Sequence, residues 1–404
     1  MASEEYVDFV HTGPATPAGR FLRTFWQPIH RSADLAAGRT AAIKIMSEDF
    51  TLYRGESGAP HLLEFRCAHR RSQLSVGWVE DDCIRCFYHG WKYDGAGQCV
   101  EQPGEEEPFA HKVRLQSYPV REYLGLIFAY FGEGEPPPML GFPEFEEPGV
   151  LEVFSTEPWP YNYFNSLDNS SDALHVAFVH RESRRRAGIE PPIFGYEPEE
   201  TEYGIRYVAV LPGGQIRHVR YFFMPNLVQV PLNLKMDGDL LDESESGGAI
   251  MLRLLWRVPV TDESHKSYFI NYVPLTGEAA ERYRERQRQR HFLEKGPTVV
   301  ELGNAVLAGK LRLQDIEVAD AYKLVQVEDY VAQAAQGVIC DRSKDRPGRK
   351  DAAVILLRKI FERETRCLAE GRPLKQWRLP GSFRMMAEND RILREMKGQA
   401  PASG

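Results

Sequence analysis

Four side chains constrain this chain more than any others. They lie in the runs Cys67-Ala68-His69 and Cys86-Phe87-Tyr88-His89, with sixteen residues between the two runs. Each run puts one thiolate and one imidazole on a tight loop, so two hairpin tips can close on one metal centre. Zinc accepts a tetrahedral set of two cysteines and two histidines. A [2Fe–2S] cluster can take two cysteines on one iron and two histidines on the other, which raises its potential. Zinc fingers normally pair Cys with Cys and His with His. Here each loop carries one of each, and that order favours the cluster over zinc and over four scattered residues of a β core. The six cysteines are otherwise sparse: Cys83 and Cys99 lie near the motif, while Cys340 and Cys367 stand alone. In a reducing compartment, clustered cysteines beside histidines suggest metal before disulfide.

The chain has 404 residues, enough for two or three domains or one large domain plus a small one. Its net charge of -8 argues against a nucleic-acid partner. The apolar run 124–131 is far short of the ~20 residues that span a bilayer. Residues 1–20 contain no apolar block. The expectation is a cytoplasmic protein with no membrane partner. Short strand-like runs at 42–45, 51–53, 62–66, 83–87 and 126–131 predict a small β module. Residues 132–148 hold five prolines and read as a linker. Beyond them, the runs 205–211, 216–224, 250–258 and 268–273 predict a larger antiparallel sheet. Helices are expected at 279–295, 325–335 and 351–370, and the chain from 381 reads as loose. The fold class is α+β.

A second patch, residues 165–180, contains Asp172, His175 and His180 as D-x-x-H-x-x-x-x-H. The two histidines are five apart, so both rings reach one metal if the helix ends or bends between them. Two histidines and a carboxylate form the facial triad of non-haem Fe(II) oxygenases, which leaves positions open for dioxygen. A histidine pair on a helix is more often structural. Beside the first motif, iron becomes the better reading.

Together these motifs resemble the oxygenase component of Rieske non-haem iron oxygenases. Thr12-Gly13-Pro14 through Trp26 and Pro28 resembles that family's usual start. Tyr88-His89-Gly90-Trp91 with Asp94-Gly95 resembles its second cluster loop. The first loop departs: Cys67-Ala68-His69-Arg70-Arg71 stands where the family commonly has C-P-H-R-G. The segment 337–344 and Asp351-Ala352-Ala353 are similar to the phthalate dioxygenase and aromatic O-demethylase branch.

The resemblance implies a lead-in segment (1–24) on the catalytic domain and an all-β Rieske domain (25–133). A linker (134–150), a helix-grip catalytic domain with a large antiparallel sheet (151–385) and a loose tail (386–404) would follow. It implies one [2Fe–2S] cluster on Cys67, His69, Cys86 and His89. It implies one mononuclear Fe(2+) on His175, His180 and Asp329, with O2 as co-substrate. Glu328 and Asp320 compete with Asp329 for the third ligand. Asp172 would bridge His175 to His89 of a neighbouring subunit, and Asp168 would support the iron site. A homo-oligomer (trimer or hexamer) follows, with electrons from a separate NAD(P)H-dependent reductase or ferredoxin, because no G-x-G-x-x-G follows a strand.

Phe178, Phe222, Phe223, Trp256 and Tyr268 are candidates for an apolar pocket, each more often plain core. Arg217, His218, Arg220, Arg253 and Arg257 lie on expected strands, where an inward guanidinium could grip a carboxylate but a solvated face is the usual outcome. Arg181, Arg184, Arg185 and Arg186 read as a solvated loop. The expected reaction is hydroxylation or O-demethylation of an aromatic carboxylic acid. Its rival is cis-dihydroxylation of such an acid; an electron carrier without catalytic iron is the alternative from another class.

Overall fold

The computed structural model describes residues 8–188, 193–233, 250–293, 296–317, 321–378 and 381–396. Short strands separated by turns fill the first third. After α1 (Pro17–Arg23) come β1 (Gln27–Arg31), β2 (Thr40–Ile45), β3 (Glu48–Arg54), β4 (Pro60–Glu64), β5 (Trp78–Glu80) and β6 (Cys83–Arg85). Then follow β7 (Lys92–Tyr93), β8 (Cys99–Glu101), β9 (Ser117–Tyr118), β10 (Val120–Tyr123) and β11 (Leu126–Ala129). They make three sheets, ordered β1-β11-β10, β2-β3-β4-β9 and β5-β6-β7-β8. The β5–β8 sheet and the loop after β4 enclose a small core of their own, in which Leu74, Ile84, Trp91 and Tyr93 surround Cys67 and Cys86.

The second part opens on β12 (Val150–Ser155), α2 (Tyr163–Ser171), α3 (His175–Phe178) and α4 (Arg181–Arg186). Next are β13 (Gly195–Glu200), β14 (Gly204–Val210), β15 (Ile216–Phe223), β16 (Leu227–Asn233), β17 (Ile250–Thr261) and β18 (Ser264–Val273). The helices α5 (Gly277–Leu293), α6 (Val299–Leu307), α7 (Ala321–Ala334), α8 (Ala352–Ala369) and α9 (Met386–Met396) complete it. Its seven strands form one antiparallel sheet in the order β12-β18-β17-β16-β15-β14-β13. The α+β class with a large antiparallel sheet holds.

Side chains alternate across a strand, and β17 uses both faces. Leu252, Leu254, Trp256 and Val258 are buried in the main core, where the Trp256 ring meets Phe128 of β11 edge-on. Arg253, Leu255 and Arg257 face the other way, into a cavity beneath α2 and α7. One hydrophobic core therefore joins the two parts: Phe21, Ile29 and Phe128 belong to the same cluster as Phe164, Trp256 and Phe361.

Several elements depart from the sequence reading. Residues 134–150 are not a free linker. Leu140, Phe142 and Phe145 are buried in the main core, because the aromatic residues between the prolines have apolar surface to cover. The tail is not loose over 386–396 either. In α9 the Asn389 side chain exchanges two hydrogen bonds of 2.8 Å with the backbone of Val219, and Ile392 is buried. Residues 397–404 lie outside the described residues. The strand β13, Gly-Tyr-Glu-Pro-Glu-Glu, does not read as a strand; it is an edge strand, where proline and glutamate are tolerated. Arg181–Arg186 is a helix, not a loop. No described helix is long and apolar enough to cross a membrane.

Candidate metal centres

The two Cys-His loops share one backbone design. In the first, the Cys67 N–H donates to Ser72 O (2.8 Å) and the Arg71 N–H donates to Cys67 O (3.0 Å). In the second, the Cys86 N–H donates to Trp91 O (2.8 Å) and the Gly90 N–H donates to Cys86 O (3.0 Å). Both turns close through a residue at positive φ: Arg71 at 62° and Gly90 at 75°. Gly90 takes that conformation without steric cost, whereas Arg71 adopts it at roughly 1–2 kcal/mol. Replacing the usual glycine thus leaves the turn in place and stores strain in it.

The thiols of Cys67 and Cys86 are buried and hydrogen-bond to each other. That bond comes first in holding the Cys86 thiol down to about 6, helped by the backbone N–H groups of Tyr88 and His89. The same bond, with burial, pushes Cys67 well above the thiol range. Tyr93 Oη lies 3.2 Å from Cys67 Sγ. The His69 ring stacks on Trp91 and sits 4.6 Å from the His89 ring, centroid to centroid. His69 Nδ1 is buried with no hydrogen-bond partner. A buried, orphaned imidazole nitrogen beside two thiols is what a metal–sulfur group with nitrogen ligands would satisfy. The four residues fit such a cluster.

The second constellation comes from a broken helix and a distant one. α2 stops at Asp172, whose backbone is extended. The Asp172 carboxylate accepts from the N–H groups of Leu174 (2.7 Å) and His175 (3.2 Å) and so starts α3. The chain bends again at His180, which caps α4, and the two imidazoles end 5.4 Å apart. Opposite them, α7 presents Asp329. His175 Nε2 lies 3.9 Å and His180 Nε2 3.5 Å from Asp329 Oδ1. The ligand atoms of His175, His180 and Asp329 all fall within 4.8 Å of one another. Two imidazoles and one carboxylate at that spacing fit a facial triad.

Neighbouring oxygens orient each ligand. His175 Nδ1 donates to the Asp172 carbonyl at 2.9 Å, which leaves Nε2 facing Asp329. His180 Nδ1 donates to Glu328 Oε2 at 3.3 Å. Glu328 is buried, and it also accepts from the N–H groups of Glu182 and Ser183 and from the Ser183 hydroxyl. It therefore caps α4 and steadies His180 together, and it does not point at the triad. Asn169 Nδ2 donates to Asp329 Oδ1 at 3.0 Å. Burial pulls His175 down to about 4, with Asp329 opposing. Burial also acts on His180, but Asp329 and Glu328 outweigh it and hold that ring above its ordinary value.

Three assignments change. Asp168 is not at the triad. It is buried on another side of α2, where its carboxylate receives Arg342 and Arg358 at 2.9–3.0 Å. Its neighbour Asn169, about 100° further round the helix, holds the triad's carboxylate instead. The Asp172 carboxylate does not receive the His175 ring: its nearer oxygen is 3.9 Å from Nδ1, and the backbone carbonyl takes that bond. Among the aromatic pocket candidates, Phe178 is exposed and Phe222, Phe223, Trp256 and Tyr268 are core. Asp320 lies outside the described residues.

The cavity at the triad measures about 160 Å³. Its floor is the sheet, with Arg220, Val228, Val230, Arg253, Leu255 and Arg257; its roof is α2–α4 and α7. Arg220, Arg253 and Arg257 are buried, not solvated. The alternation of residues 253, 255 and 257 could have revealed this face. Which side of the sheet meets the helices could not be read from it.

Comparison with known proteins agrees with this architecture. The Rieske [2Fe-2S] domain family matches residues 25–119. The chain is 27% identical over 391 residues to the 5,5'-dehydrodivanillate O-demethylase oxygenase subunit of Sphingobium sp. strain SYK-6, covering 92% of this chain and 82% of that one. It is 32% identical over 279 residues to the phenoxybenzoate dioxygenase subunit alpha of Ectopseudomonas oleovorans, covering 63% and 64%. Among solved structures, dicamba monooxygenase bound to dicamba superposes with a TM-score of 0.61 at 18% identity, covering 87% and 99%. NdmA of Pseudomonas putida CBB5 gives 0.60 at 20% identity, covering 87% and 92%. A Rieske domain joined to a helix-covered antiparallel sheet, with oxygenase subunits as relatives along its length, identifies the chain as an oxygenase component of the Rieske non-haem iron oxygenases.

Proposed function

We propose that this enzyme hydroxylates or O-demethylates an aromatic carboxylic acid. In this reading Cys67, His69, Cys86 and His89 hold the cluster, and His175, His180 and Asp329 hold the iron. One observation carries the substrate reading. The cavity that the triad opens onto has buried guanidinium groups on its floor, at Arg220, Arg253 and Arg257. A carboxylate offers the planar geometry that a guanidinium binds best. The names of the two relatives, an O-demethylase of dehydrodivanillate and a dioxygenase of phenoxybenzoate, support an aromatic acid.

When bound, the two metal groups supply electron transfer and O2 activation. The chain supplies the rest. Asp172 O and Glu328 hold the imidazoles with Nε2 inward, and Asn169 holds the carboxylate. Val228, Val230 and Leu255 give the ring an apolar bed. We also read the active form as a homo-oligomer served by a separate reductase. Trp78, Phe87 and Tyr88 are exposed beside the second cluster loop, and Phe178 is exposed beside the triad, which suits burial against another subunit. Asp172 is 27% exposed at that face, open to a partner's imidazole.

The decisive experiment counts iron and acid-labile sulfide and follows O2 uptake with a reductase and a panel of aromatic acids. About three irons and two sulfides per chain are expected, with acid-dependent O2 uptake. His175→Ala should abolish turnover and leave the cluster's EPR signal intact. Turnover that survives this change overturns the iron assignment.

A further inference from the structure

The helices α2 and α7 meet antiparallel, along a ladder of polar side chains. Asn169 Nδ2 donates to Asp329 Oδ1 at 3.0 Å. One turn back on α2 and one turn on along α7, the Ser166 hydroxyl donates to Gln333 Oε1 at 2.5 Å. Just past the end of α7, the Gly337 carbonyl accepts from Asn165 Nδ2 at 3.0 Å. Asp329 and Gln333 are four apart and so share one face of their helix. Val325, a turn earlier on that face, lines the triad cavity.

The middle rung is anchored on further elements. Tyr161 Oη also donates to Gln333 Oε1, at 3.0 Å. His265 of β18 donates from Nδ1 to the Tyr161 carbonyl at 3.0 Å, and its Nε2 lies 2.9 Å from Ser166 Oγ. Tyr161, Ser166, His265 and Gln333 are all buried. This is not the most stable way to fill the space. Gln333 Nε2 is buried with no hydrogen-bond partner, and an unmade bond on a buried amide destabilises. An apolar pair of similar shape at 161 and 333 would be close to neutral. What the polar pair adds is register. Sliding α7 by one turn along α2 either sets Val325 against Asn169 or takes the acceptor away from the Ser166 and Tyr161 hydroxyls. Each leaves buried polar groups unmatched, so only the observed register satisfies the rungs together.

We propose that Gln333 is a positioning residue of the iron site. By tying α7 to α2 and, through Ser166 and Tyr161, to His265, it fixes the register in which the Asp329 carboxylate faces His175 and His180. This rests on the reading of those three residues as the iron ligands, and it adds the device that sets the third one.

The test follows thermal stability and Fe(II) affinity together, on the full-length protein with its cluster loaded and its mononuclear iron removed. Gln333→Met leaves the Tyr161 hydroxyl without its acceptor and should lower both. Adding Tyr161→Phe removes that hydroxyl and should restore the thermal midpoint. Fe(II) affinity should nevertheless stay at least about tenfold below that of the unaltered protein. The EPR signal of the ferrous nitric oxide adduct should also broaden, because Asp329 no longer holds one position. Midpoint and affinity returning together would overturn the proposal, since Gln333 would then only stabilise the fold. Ser166→Ala takes away the α2 end of the same rung and keeps the question open to test if the double variant does not fold. It should weaken Fe(II) binding with the cluster signal unchanged, and unaltered binding overturns the proposal as well. His175→Ala separates the two readings. If it binds Fe(II) as the unaltered protein does, the iron site itself is misassigned and both fall; if it does not, a failure of the Gln333 result leaves the iron site standing.

Discussion

At the scale of single residues, two substitutions separate structure from chemistry. The Asp168 side chain is only 8% exposed and holds two guanidiniums, those of Arg342 and Arg358. Removing one member of a buried ion network leaves uncompensated charge, which costs about 3–5 kcal/mol. Asp168→Ala should lose about that much stability in a denaturant titration while the remaining folded protein still loads mononuclear iron. Loss of iron at full stability would return Asp168 to the site. Arg71 makes the opposite case. Its positive φ is strain in a loop that glycine would close freely, so Arg71→Gly should be stabilising by up to about 1 kcal/mol, after the greater chain entropy of glycine is counted. A fall in the thermal midpoint would show that the Arg71 side chain contributes more than its backbone costs.

At the scale of elements, α9 is held to the sheet by charge as well as by burial. Arg206 binds the Glu388 carboxylate, and the Tyr221 hydroxyl donates to it at 2.8 Å. The Arg206 hydrogen bond comes first in holding Glu388 below the usual carboxylate range, against burial. Since the folded value is the lower one, this contribution is complete above the ordinary glutamate value near about 4.3 and is lost as pH falls through the folded value. Limited proteolysis should therefore release α9 below about pH 4 and spare it at pH 7. Glu388→Gln should remove that pH dependence, and an unchanged acid profile would assign the docking to Asn389 and Ile392 alone. The break between α3 and α4 follows similar logic. Glu328 reaches across 146 residues of chain to cap α4, and with the same carboxylate it fixes the ring of His180.

At the scale of the whole molecule, the two largest of the five apolar clusters among the described residues divide the labour. The small one encloses Cys67 and Cys86, and the large one runs unbroken from α1 and β11 through the main sheet to α8. Binding free energy of a structural metal group is partly folding free energy. Extracting the cluster should therefore raise amide exchange across residues 67–99 and leave β1, β11 and β17 protected. Uniform deprotection would mean that the two cores unfold as one.

What could be read in advance was short in sequence. The Cys-His loops, the His175–His180 spacing and the alternation along β17 each lie within a few residues, so backbone geometry alone places those side chains. The runs that became β14, β15, β17 and β18 were legible for the same reason, while β13 was hidden by charges that an edge strand tolerates. Tertiary structure decided everything that spans the chain. It set Asn169 against Asp329 over 160 residues and His180 against Glu328 over 148, and it drew Asp168 away to Arg342 and Arg358. It also turned Arg220, Arg253 and Arg257 inward beneath the helices. A strand's period says which residues share a face. Only the packing of helices on one side of the sheet decides whether that face meets water or closes over a site.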